Sequence, residues 1–185
     1  MTSASQQATA QTASIAAFDR AYEDFLAAFA QAPDAALLYV PPGEDYALGV
    51  LPMHLLDPMR HYMGVLDLIE ETDYAPLDLA STSEAEYIKP ERRAEIIAAR
   101  PTGADRARML AELEVEHQRV RQRAAALDPA TFARQASVIY PPAPQPYPTS
   151  CRDILDWLTD HYNEHVAQVG TLLADWRASQ GVSHA

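Results

Sequence analysis

SCRDILDWLTDHYNEHVAQVGTLLADWRAS, residues 150–179, reads as one long amphipathic segment. Ile154, Leu158, Val169, Leu172 and Trp176 recur at helical spacing and draw a single apolar stripe, and His161 and His165 fall inside it. Residues four apart on a helix point the same way from adjacent turns. The pair therefore faces the interior of a fold, where two imidazoles are costly unless each finds a partner. A metal ion bound by both is such a partner. Ser150-x-x-Asp153 resembles a capping box at the start of the segment, and Gly181 stands beyond it as a stop.

Working outward, three more long segments carry the same periodicity. The first spans about Thr12 to Gln31, with Ile15, Phe18, Tyr22, Phe25, Leu26 and Phe29 on its stripe and Pro33 after it. The second spans roughly Ala47 to Glu71, with Leu51, Leu55, Met59, Tyr62, Leu66 and Ile69. Its Pro52 suits a first turn, whereas Pro58 lies deep enough to kink the helix. The third spans about Ala104 to Leu127, with Leu110, Leu113, His117, Val120, Ala124 and Leu127, and Asp128-Pro129 ends it. Between the second and third lie an irregular stretch, Thr72 to Lys89, and a short helix over Pro90 to Arg100. Ala136 to Tyr140 suits a short strand, and the proline-dense run from Pro141 to Pro148 an extended surface connection. Four amphipathic helices with little strand signal predict an all-α four-helix bundle. The expected organisation is a disordered tail over 1–12, a single bundle domain over 13–180 and a C-terminal tail over 181–185.

Composition narrows the partners. The formal net charge of -12 disfavours nucleic acid and anionic membrane surfaces. No apolar run is long enough to span a bilayer. The single cysteine, Cys151, excludes an internal disulfide and fits a reducing, cytoplasmic setting. Met1 to Ser14 is polar, lacks basic residues and lacks the apolar part of a signal peptide, so it reads as a mobile tail.

Six histidines are present. His184 lies in the C-terminal tail and is assigned no role. The His161/His165 pair needs a third ligand, and the second helix offers His54 and His61, seven apart on nearly one face. Either one meeting the pair across the bundle gives three imidazoles around a divalent ion with a position left open. The bland reading of His61 is a partly exposed, hydrogen-bonded residue. Glu114-x-x-His117 has the spacing of carboxylate-bridged di-metal bundles, but no second Glu-x-x-His exists, so His117 reads as a buried, hydrogen-bonded residue. Tyr162 stands where a zincin places Glu. Cys151, at a helix N-terminus that lowers a thiol pKa, reads as an incidental small residue. Asp57 and Glu164 are candidates to orient imidazoles, and Arg60 and Arg152 to anchor an acidic substrate. All four also read as ordinary surface charges.

These motifs, in this order, resemble the DinB-like (DinB/YfiT) superfamily of metalloenzymes. Tyr46 stands at the family's aromatic position, His54 follows eight residues later, and His161-Tyr162-Asn163-Glu164-His165-Val166-Ala167-Gln168-Val169 matches the His-x-x-x-His-x-x-Gln-hydrophobic signature. The turn Pro41-Pro42-Gly43-Glu44-Asp45 is also similar. The resemblance implies His54, His161 and His165 converging on Zn or Ni, with Fe or Mn as further candidates. It also implies a homodimer and an enzyme using a low-molecular-weight thiol, an S-transferase or isomerase. The alternatives are a non-catalytic metal-binding or stress-response bundle and, more distantly, a metal-dependent hydrolase. A di-metal oxidase using Glu114 and His117 ranks last.

Overall fold

The computed structural model describes residues 3–80, 89–140 and 145–182. In chain order the helices are α1 (Ala4–Ala30), α2 (Leu51–Glu71), α3 (Pro90–Ala98), α4 (Gly103–Ala126), α5 (Pro129–Phe132) and α6 (Cys151–Val182). Three short strands, β1 (Leu77–Asp78), β2 (Ala136–Ile139) and β3 (Tyr147–Thr149), form a sheet in the order β1-β2-β3. The architecture is all-α, as expected: α1, α2, α4 and α6 enclose the core and the small sheet lies beside α2. Among the described residues no helix is long and apolar enough to cross a membrane.

Polar contacts fix the helix directions. Gln11 on α1 bonds the carbonyls of Ala124 and Leu127 at the end of α4, and Arg106 near the start of α4 bonds those of Phe29 and Ala32. Helices α1 and α4 are therefore antiparallel. On α2, Arg60 pairs with Glu116 and Glu70 with Arg123, so α2 runs parallel to α4. His54 faces His161 while Tyr62 faces Trp157, so α2 and α6 are antiparallel.

The start of α2, which carries His54, is held by the preceding link. Leu48 N–H bonds the Tyr39 carbonyl and Gly49 N–H that of Leu37. A Cβ at Gly49 would sit 2.8 Å from the Leu37 carbonyl oxygen and 2.7 Å from Pro101 Cγ. Only glycine admits that approach. Pro52 occupies the first turn of α2, and Pro58 lies inside the helix.

Several elements differ from the sequence expectation. The stretch expected as a tail is helical from Ala4. Ser3 and Gln6 form a reciprocal cap, and the buried residues Gln11 and Ser14 dock these turns on the bundle. An apolar stripe is absent there because the anchors are polar. Gly181 does not stop α6, which runs to Val182. Glycine costs a helix about 1 kcal/mol but forbids nothing, and no proline follows. Strand β1 lies in the stretch expected to be irregular, and α5 is a further addition, capped by Asp128. Pro148 lies in β3, at a sheet edge, where a missing N–H is tolerated. The rest of the proline run at 141–144, His184 and the tail at 183–185 lie outside the described residues.

Replacing Gln11 with Ala leaves two carbonyls of the α4 terminus without their donor. Urea unfolding should show a loss of about 1–2 kcal/mol, read as a lower midpoint at constant slope. An unchanged midpoint would mean that the first turns of α1 are not tied to α4.

Candidate metal centre

Helix α6 begins with a reciprocal cap: Asp153 Oδ2 accepts from Ser150 N–H at 2.8 Å, and Asp153 N–H donates to Ser150 Oγ at 3.2 Å. Its rotation is set by Tyr162, 1 % exposed, whose ring meets those of Phe18, Tyr22 and Phe25. The Tyr162 hydroxyl donates to Met59 Sδ at 3.6 Å. With Tyr162 turned into the core, the neighbouring His161 and His165 point toward α2.

There they meet His54. The imidazole centroids lie 5.2 Å (His54–His161), 5.0 Å (His54–His165) and 4.5 Å (His161–His165) apart. One ligand nitrogen from each ring falls within 4.8 Å of the other two. His54 and His165 are buried, while His161 keeps 23 % of its side chain exposed and so opens the cluster to solvent. Tyr46 stacks on the outer side of His54, with centroids 5.7 Å apart and planes inclined by 26°.

All three rings are held neutral. Burial, and then the neighbouring His165, push His54 down to about 4. Burial, and then His165 and His54, push His161 down to about 3. Burial also lowers His165, against the opposing pull of Gln168 and Glu164. Gln168 Oε1 accepts from His165 Nδ1 at 2.6 Å, which places the proton on Nδ1 and leaves the Nε2 lone pair for the cluster. His161 likewise turns Nδ1 toward Glu164, at 3.7 Å, and Nε2 toward His165 Nε2, at 3.3 Å. The nitrogens of a tetrahedral zinc site, with bonds of about 2.0–2.1 Å, are roughly 3.3 Å apart. The His161–His165 pair has that spacing, and with the His54 nitrogen within 4.8 Å of both, three neutral nitrogen donors suit a divalent transition ion, which His54, His161 and His165 would hold.

The remaining candidates go elsewhere. His61 bonds the Tyr140 hydroxyl at 2.5 Å. His117 is buried between the rings of Phe18 and Tyr22, at 4.3 and 4.2 Å, with Nε2 3.2 Å from Asp19. Glu114 is exposed, and the convergent group does not include it or His117. Asp57 is buried, which raises its pKa, and both its oxygens accept from Arg92 Nε, at 3.2 and 3.3 Å, so it orients α3 rather than an imidazole. Arg60 pairs with Glu116 and Arg152 with Asp156. Cys151 runs against the electrostatic expectation: burial pushes its thiol up to about 12, against the opposing pull of Arg123. Arg92 was not singled out by sequence, because its partner Asp57 is distant in the chain.

The family model described as DinB superfamily matches residues 17–169, and the chain belongs to the DinB superfamily. No curated protein and no solved structure matches it.

The depressed histidines predict a pH dependence for the metal-free protein. The unfolded chain takes up these protons near pH 6.5 and the folded chain only near pH 4 and below, so the unfolded state binds more protons in between. Stability should therefore fall as the pH drops from about 6.5 to about 4. In chelator, His161→Gln should flatten that slope by up to about 1.4 kcal/mol per pH unit, measured by urea unfolding across the window. An unchanged slope would show that His161 is not held neutral.

Proposed function

We propose that this DinB-superfamily protein is a divalent-metal-dependent enzyme. His54, His161 and His165 hold one ion and leave a position for the thiol of a small cosubstrate, in S-transfer or isomerisation. The observation that carries the reading is the convergence of three neutral imidazoles from two antiparallel helices, with no cysteine or carboxylate joining them among the described residues. Three protein ligands are the pattern of zinc sites that do chemistry, whereas structural sites are closed by four.

A divalent ion with three neutral ligands keeps its full charge and lowers the pKa of a bound thiol or water. The chain's own residues serve that arrangement. Gln168 keeps the proton on His165 Nδ1 and so fixes the tautomer that presents Nε2. Burial of His54 and His165 excludes water from the inner side, and Tyr46 covers His54. The exposed part of His161 marks the side from which a small molecule reaches the centre.

Elemental analysis of tag-free protein supplied with Zn or Ni should find about one ion per chain, lost in a His161→Ala/His165→Ala variant that keeps its helical circular dichroism. The cobalt(II) form should gain a thiolate-to-metal absorption band when 2-mercaptoethanol is added. Failure to retain metal would leave a non-catalytic bundle. Metal without the band would exclude the thiol and leave hydrolysis or metal storage.

A further inference from the structure

Helices α2 and α6 also carry aromatic residues further along from the histidines. Trp157 lies one turn before His161 on α6, and Tyr62 two turns after His54 on α2. Their rings meet at 5.7 Å, inclined by 50°. Tyr147, from β3, stands against Trp157 at 5.9 Å and 75°. These three half-buried rings line a cavity of about 430 Å³. Tyr140 lies 6.1 Å from Tyr62 and extends the aromatic wall.

The cavity and the histidine cluster lie at different levels of one helix pair. At 1.5 Å per residue, the rung of Tyr62 and Trp157 lies roughly 6 Å from that of His54 and His161 along α6, and roughly 12 Å along α2. A small molecule with a reactive head and a ring-bearing tail spans that interval.

We propose that this cavity is a subsite for a flat aromatic group of the substrate or thiol cosubstrate, whose reacting head lies at the three-histidine centre. The inference rests on reading that centre as a thiol site. Tilted and edge-on rings offer both faces and edges to a further ring, the arrangements aromatic pairs prefer. Tyr62 and Trp157 pack one side against the core, whereas Phe18, Phe25 and Phe29 are fully buried in it. Here three partly exposed rings border open volume instead. Among the described residues the cavity is lined by the rings of Tyr62, Tyr147 and Trp157, and burial raises the Tyr147 hydroxyl pKa. Such a lining offers apolar ring surface, which an uncharged aromatic group uses without a counter-charge.

The test compares 2-phenylethanethiol with 2-mercaptoethanol on the cobalt(II)-loaded protein, following the thiolate-to-metal absorption. The aromatic thiol should bind about tenfold more tightly. Trp157→Ala and Tyr147→Ala should each bring the two thiols to within about twofold while leaving metal content and 2-mercaptoethanol binding unchanged. Equal affinities in the unmodified protein would overturn the subsite and leave the thiol reading standing. Equal weakening of both thiols by the substitutions would also overturn it, since the rings would then only support the helices.

If neither thiol binds cobalt, the thiol reading fails and the subsite is read without metal. Trp157 and Trp176 are the two tryptophans of the chain. In metal-free Trp176→Phe protein, dansylamide should accept energy from Trp157 saturably, and Tyr147→Ala should abolish the transfer. No saturable transfer would overturn the subsite.

Discussion

Burial of Tyr162 is the constraint on which the rest of the site depends. Its ring is the meeting point of Phe18, Tyr22 and Phe25 from α1 and of Met59 from α2. Burial drives its hydroxyl ionisation well above the usual phenol range, so the group stays a neutral donor to sulfur. A helix locked by one large residue has its whole rotation fixed. Successive residues are turned by about 100°, so the residue before Tyr162 and the one three after it are set at the margin of the core, facing α2.

That placement creates an electrostatic problem with a specific solution. Three imidazoles share a small, partly dry volume, where burial opposes protonation of each, and neighbouring imidazoles add to that at His54 and His161. Held neutral, they present lone pairs to one another, and Gln168 commits His165 to that role. Donors crowded in this way are satisfied by a shared cation, and binding free energy then adds to folding free energy. The aromatic cavity is lined by Tyr62 of α2 and Trp157 of α6, with Tyr147 of β3 against Trp157.

Much of the bundle was legible because its packing follows a 3.6-residue apolar period in α2, α4 and α6. What was not legible depends on distant partners. The first turns of α1 are anchored by Gln11 reaching the end of α4, and no local pattern announces such a bond. Strands β1 and β3 are too short to show alternation and exist through pairing with β2. Within the site, spacing alone left His54 and His61 as equals. They are separated by the third dimension: His61 is taken by Tyr140, and His54 lies against α6. The family signature pointed to His54 in advance. The thiol of Cys151 could not be judged from its place at a helix start, because the burial that raises its pKa comes from tertiary packing.

The central claim is that one divalent ion sits among His54, His161 and His165 with room for another ligand. X-ray absorption of the zinc-loaded protein reads that shell directly. The account predicts three imidazole nitrogens at about 2.0–2.1 Å, with one further light donor completing the shell. A shell with fewer than three imidazoles, a closed set of four protein ligands, or scattering from a second metal close by would contradict it.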